Sequence, residues 1–254
     1  MTFTKNYKLS DILLKNIEAA SIFEKHNINY CTNGNKTLEE ACGMVEIKPA
    51  LVITELNKLN GSLTKDIKTN QWSLDFLCEY IVSNHHTYVR KTFKELLKQL
   101  RIILKSHTDN NGDLMKKFEK MNRDFETHMQ KEEKLLFPYI KRLVDSEYSQ
   151  SEFEIAPFGL IKKPIAVMKK EHLYAVNKLY KLKDICGDIN KIKAGKDIKK
   201  NFCKLFKEFE LDFHIHLHLE NNVLFPKTLL LERKILKKFT QIKLINQITK
   251  NEKH

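Results

Sequence analysis

A short pattern occurs twice in this chain and limits what it can fold into. His128-Met129-Gln130-Lys131-Glu132 is followed by Leu136-Phe137-Pro138, and His216-Leu217-His218-Leu219-Glu220 by Leu224-Phe225-Pro226. In each copy a histidine precedes a glutamate by four residues, with a Phe-Pro pair shortly after. At 3.6 residues per helical turn, positions i and i+4 stand one above the other, so a helix delivers each imidazole and carboxylate to one point. A mixed nitrogen and oxygen donor set suits iron, manganese or zinc, whereas calcium and magnesium take oxygen alone.

Two such turns clamp a two-metal centre when neighbouring helices add ligands. His85 lies 43 residues before His128, and His172 lies 44 residues after it and 44 before His216. One histidine per helix at near-equal spacing is what an up-down-up-down bundle requires. The candidate metal ligands are therefore His85, His128, Glu132, His172, His216 and Glu220. His85 is preferred to its neighbour His86 because Leu77, Tyr80 and Ile81 set the inward stripe nearer to it, and the choice between the two stays open. His214 and His218 flank His216 at two residues on either side and face away from it on a helix. Asp124, one turn before His128, and Glu171, beside His172, are candidates for outer partners of the ligands or for an ion path, with plain surface acids as the alternative.

Composition fits this picture. Glycine (7) and proline (5) are scarce among 254 residues, and strand-like alternation is absent, so the expected fold is all-α. No apolar run reaches the length of a membrane span, and no leader pattern opens the chain. Five scattered cysteines without a C-x-x-C pair speak for reduced thiols and against a disulfide framework or zinc ribbon. A cytoplasmic protein is expected, with assembly as a homodimer left open. The net charge of +13 rests on 40 lysines and only five arginines spread along the chain. Lysine lacks the planar fork of bidentate phosphate and guanine contacts, so a solvated surface is favoured over nucleic-acid binding.

Along the chain, residues 9 to about 60 read as short helices, including one opened by the capping box Thr37-x-x-Glu40 and one restarted by Pro49. Residues 62–71 are the expected linker. Four long segments follow: about 74–106, 113–145, 165–185 and 196–231, with Gly187 and Gly195 bracketing the last turn, then a lysine-rich tail. Pro138 and Pro226 mark either kinks or helix ends. The expected division is a small helical cysteine-bearing domain, 1–66, and a four-helix bundle with a basic tail, 67–254.

At these residues the chain resembles the repair of iron centres (RIC) family, hemerythrin-like proteins linked to recovery of iron-sulfur clusters after nitrosative or oxidative stress. The C-terminal match runs through His85, His128-x-x-x-Glu132, Glu171-His172 and His216-x-x-x-Glu220-Asn-Asn-Val-Leu-Phe-Pro226. The N-terminal match runs through Ile22-Phe23-Glu24-Lys25-His26, Tyr30-Cys31, Gly34 and Thr37-Leu38-Glu39-Glu40-Ala41-Cys42. The resemblance implies a hemerythrin-like up-down four-helix bundle holding two non-haem iron ions, oxo-bridged, on four histidines and two bridging glutamates. It implies iron donation to, or promotion of repair in, iron-sulfur proteins or a cluster-assembly scaffold. Reduction of nitric oxide, oxygen or peroxide at the same centre is one alternative, and a non-catalytic sensor of oxygen or nitric oxide is another. The family commonly carries two adjacent cysteines where this chain has Cys31-Thr32. A single thiolate at Cys31, placed ahead of a helix start, is the expected remnant, with an inert loop thiol as the alternative.

Overall fold

The computed structural model describes residues 2–59, 71–105, 111–149, 155–182 and 185–251. Among these no strand forms, and the one β-bridge is isolated, between Lys8 and Thr37. Four short helices open the chain: α1 (Leu9–Lys15), α2 (Ala19–Lys25), α3 (Leu38–Met44) and α4 (Pro49–Leu59). The capping box is present as expected. Thr37 Oγ1 accepts from the Glu40 amide (3.2 Å), and Glu40 Oε2 accepts from the Thr37 amide (2.7 Å). The expected domain boundary at 66/67, and the linker apart from Gln71, lie outside the described residues.

The long helices are α5 (Leu74–Tyr80) and α6 (Thr87–Lys105), α7 (Asn111–Lys131) and α8 (Phe137–Ser149), α9 (Lys162–Tyr180), then α11 (Lys196–His218) and α12 (Phe225–Asn251). A short α10 (Ile185–Lys191) precedes α11, so Gly187 sits within a helix and not at a turn. Gly195 is the N-cap of α11. α6 and α9 each pack on both α7 and α11, which closes a four-helix ring. A phenylalanine ladder fills one end of it. The Phe93 ring meets those of Phe118, Phe125 and Phe209 at centroid distances of 6.0, 5.5 and 5.1 Å.

Three of the long helices are interrupted by a π turn: Ile81–His86, Glu132–Leu136 and Leu219–Leu224. In two of them the wide turn stands directly ahead of a proline. A regular helix would drive a proline ring into the carbonyl four residues back, and the widened turn relieves that clash. The helices therefore continue through Pro138 and Pro226 as α8 and α12, so neither proline is a helix end. The first π turn has no proline. There the Thr87 hydroxyl donates to the Val82 carbonyl (3.0 Å) and Asn84 Nδ2 to the Tyr80 carbonyl (3.0 Å), which occupies acceptors that the irregular ladder frees.

The apolar core is divided in two. One cluster joins the N-terminal helices to the phenylalanine ladder and ends at Met129, Phe213 and Leu217. The other begins at Ile81, Leu136 and Leu219 and contains Phe137 and Phe225. All three π turns lie at the seam, where buried histidines and glutamates take the place of hydrocarbon.

Candidate metal centre

Two groups of donor atoms converge at the seam. His86, Glu132, His216 and Glu220 form one, and His128, Glu132, His172 and Glu220 the other, with the ligand atoms of each group within 4.8 Å of one another. The carboxylates belong to both. Glu132 Oε2 lies 3.4 Å from His86 Nε2, while Glu132 Oε1 lies 3.2 Å from His128 Nε2 and 3.8 Å from His172 Nε2. Glu220 Oε1 lies 3.0 Å from His216 Nε2, and Oε2 lies 3.2 Å from His172 Nε2. Each glutamate thus turns one oxygen to each group, which is the disposition of a bridging carboxylate.

Five of the six expected ligands meet here, and the sixth is replaced. His86 joins the donors, while His85 Nδ1 donates to Asp212 Oδ1 (3.0 Å) and its ring stacks on His216 at 5.5 Å. The cause is the π turn at Ile81–His86. The upstream stripe of Leu77 and Ile81 projects onto His85 in a regular helix, but an inserted residue advances the register by one. His86 then shares its face with Phe93 and Leu100, seven and fourteen residues on and both wholly buried. His214 and His218 point elsewhere: His214 Nδ1 donates to Glu24 Oε1 (2.6 Å), and His218 Nδ1 accepts from Asn222 Nδ2 (3.0 Å).

The histidines are oriented from behind. His86 Nδ1 donates to Glu133 Oε1 (2.7 Å), itself held by Arg90 Nη1 (2.9 Å). His128 Nδ1 donates to Glu171 Oε2 (2.7 Å), whose other oxygen accepts from Lys131 (2.6 Å). His172 Nδ1 faces Asn221 Oδ1 (3.0 Å). A proton on Nδ1 leaves the Nε2 lone pair facing the donors, as metal ligands require. Glu171 is therefore an outer partner of His128. Asp124 is bound to Lys178 (2.8 Å) and lies, with His128 and His172, on the wall of a cavity of about 330 Å³.

Whether this set suits a metal is decided by its unpaired atoms. His86 Nε2, both oxygens of Glu132 and Glu220, and both nitrogens of His216 are buried without a hydrogen bond. The close N···O approaches above lack hydrogen-bond alignment, and His128 Nε2 meets His172 Nε2 at 3.0 Å. Two imidazole lone pairs repel at that distance unless a proton or cation lies between them. The charges agree. Burial works against charge on His128, yet the neighbouring Glu132 lifts its pKa to about 10. Burial would likewise raise Glu132, but the His128 charge holds it well below the usual carboxylate range. Glu220 is lowered to about 2, with burial and the Glu132 charge outweighed by His216 and His172. Two wholly buried carboxylates thus stay ionised beside a positive imidazole, a position that a metal cation would take over.

The lowered pKa expected at Cys31 is overturned. The residue is buried, no helix begins until Leu38, and its thiol donates to Asn29 Oδ1 (3.1 Å). Burial, followed by the nearby Glu24 charge, pushes the thiol pKa far up, so it is a protonated loop cysteine. Asn221, Arg90 and Glu133 are not singled out by the repeat, because their value lies in contacts between helices.

Residues 79–228 match the hemerythrin HHE cation binding domain, and residues 5–60 match ScdA_N, a domain of unknown function, DUF542. The chain is similar to the iron-sulfur cluster repair protein YtfE of Shigella boydii serotype 4 (strain Sb227), with 28% identity over 89% of this chain and 97% of the relative. The YtfE protein of Escherichia coli O8 (strain IAI1) shows the same identity and coverage. Among the described residues no helix is long and apolar enough to cross a membrane.

Proposed function

Because the chain belongs to the hemerythrin HHE cation binding family, we propose that it holds two non-haem irons at the seam and supplies iron to the repair of damaged iron-sulfur clusters. The observation that carries this reading is the pair of four-residue donor groups sharing Glu132 and Glu220. The repair role is drawn from the names of the YtfE relatives, and the donor set supports iron as its cargo.

His86 with His216 would hold one ion and His128 with His172 the other, each joined by an oxygen of Glu132 and of Glu220; four protein donors would leave a six-coordinate ion about two positions for exchangeable ligands. Glu133 and Glu171 hold His86 and His128 with their lone pairs inward, and Phe137 and Phe225 stack on His86 and His172 to exclude water from that side. The cavity beside His128 and His172 opens a route to one position. Iron bound there supplies a transferable ferrous ion and sites for small ligands such as nitric oxide or oxygen. That cavity also favours a second reading, reduction of such a molecule at the same centre.

Purified protein is expected to carry about two irons per chain, and Glu132→Ala together with Glu220→Ala to abolish that content while the helical circular dichroism persists. Retention of iron by the double variant would refute the site. Anaerobic transfer of iron to an apo iron-sulfur acceptor, measured against nitric oxide consumption with an added reductant, separates the two activities.

A further inference from the structure

The single tryptophan of the chain, Trp72, stands two residues ahead of α5, and Phe76 and Tyr80 follow it at intervals of four. Phe76 and Tyr80 therefore share a helix face. Trp72 lies against both, with ring centroids 4.9 Å from Phe76 and 4.7 Å from Tyr80. His85 comes five residues after Tyr80. A regular helix would rotate it away, but the π turn Ile81–His86 sets residues five apart over one another. The Tyr80 and His85 rings accordingly meet at 5.7 Å. His85 then lies parallel to His216, 5.5 Å away with 9° between the ring planes, and Asp212 fixes it through Nδ1 (3.0 Å). A line of ring contacts thus runs from Trp72 through Tyr80 and His85 to a donor of the metal centre.

Core packing does not account for this line. Trp72 and Tyr80 are only half-buried and Phe76 is 47% exposed, so the outer rings gain little from leaving water. Indole and phenol share another property. They are among the side chains that give up one electron most readily, and their radicals lie close enough in potential for an electron to pass either way. The imidazole of His85 is harder to oxidise. It serves as a bridge, filling the gap between Tyr80 and His216 with a π system in edge contact on one side and stacked contact on the other.

We propose that Trp72 and Tyr80, bridged by His85, form a one-electron relay through which an oxidising equivalent left at the centre by a hydroperoxide escapes to the surface. Tyr80 yields an electron by way of His85 and His216, and its hydroxyl proton passes to solvent. Trp72 then returns one electron to the tyrosyl radical, which takes a proton back, while the indole loses its Nε1 proton. A reductant of the thiol class restores Trp72 with one electron and one proton, and two of the resulting thiyl radicals couple to a disulfide. The inner end of the relay rests on the proposed two-metal site, whereas exchange between Trp72 and Tyr80 is a property of the metal-free chain.

The test uses the full chain. In metal-free protein, azidyl radicals made by pulse radiolysis oxidise the single tryptophan. The indolyl absorbance is expected to decay into tyrosyl absorbance in a first-order step independent of protein concentration. Tyr80→Phe, which keeps the ring packing, should lose that step. In ferrous-loaded protein mixed with hydrogen peroxide and freeze-quenched, electron paramagnetic resonance should show a tyrosyl radical that is lost in Tyr80→Phe and in His85→Gln. His85→Gln keeps a donor for Asp212 and removes the ring, and metal analysis and circular dichroism should find its iron content and fold native. In Trp72→Phe the tyrosyl radical should outlive that of the native protein, because its electron donor is gone. An indolyl decay unchanged in Tyr80→Phe, a radical equally strong in iron-loaded His85→Gln, or no radical in the iron-loaded native protein would make these rings a packing cluster and overturn the proposal. Absence of iron binding in the native protein would instead refute the two-metal reading and the inner end of the relay with it, and the radiolysis result would still decide the outer pair.

Discussion

Acid should weaken this protein through His218, by an amount that its surroundings set. The side chain is wholly buried, its Nδ1 receives Asn222 Nδ2, and that amide is held in orientation by the Tyr30 carbonyl. Nδ1 is thus the acceptor of a neutral ring, and a proton there would confront an N–H donor. Burial lowers the pKa from 6.5 to about 4. The unfolded chain therefore takes the proton first. The stabilisation is complete above pH 6.5, declines as pH falls, and is gone below about 4. A shift of this size corresponds to about 3 kcal/mol in full, and to about 2.5 kcal/mol between pH 7.5 and 4.5. Urea unfolding of chelator-treated protein at those two pH values measures the loss, with His218→Leu as reference because the carboxylates contribute their own slope in both proteins. The native protein should lose about 2.5 kcal/mol more than the variant. Equal losses would refute the assignment of His218 as a buried neutral acceptor.

Other consequences are open to simple measurement. His86→Ala should reduce iron content by about half or more, whereas His85→Ala should leave it near the native level, as read by metal analysis. Glu232 accepts from the Tyr139 hydroxyl (2.7 Å) and the Ile161 amide (2.9 Å), so Glu232→Ala removes the buried acceptor that both share and should cost about 3 kcal/mol in denaturant unfolding. Iodoacetamide should modify Cys203, which is half-buried, well before Cys31, Cys42 and Cys78, as followed by mass spectrometry of the native protein.

The helical class and most of the donor set are legible in the sequence because both depend on local spacing. His128 with Glu132, and His216 with Glu220, are i,i+4 pairs that any helix brings together, and the even intervals extend the reading to His172. The reading slips by one residue at His85 because helical periodicity assumes an unbroken ladder. A trace of the irregularity is present: the stripe ending at Ile81 and the stripe through Phe93 and Leu100 disagree by one position, as an inserted residue requires. The prolines carried the same information, since Pro138 and Pro226 are tolerated mid-helix by the widened turns before them. Cys31 and Asn221 are of another kind. Their states depend on how the N-terminal turn docks on the last π turn, about 190 residues away in the chain, and no local pattern encodes that.

The divided core gives the molecule an unusual mechanical character. Its two apolar halves meet across a layer of like-charged carboxylates and facing imidazoles, so cohesion at mid-height is electrostatic and depends on what fills the layer. On the proposed two-metal reading, cations in place would rivet the layer, and as each departed the halves on either side would be less firmly joined, so that opening for the next departure would become easier. A vessel whose walls loosened as it emptied would release its contents together, which would suit delivery of metal better than its storage.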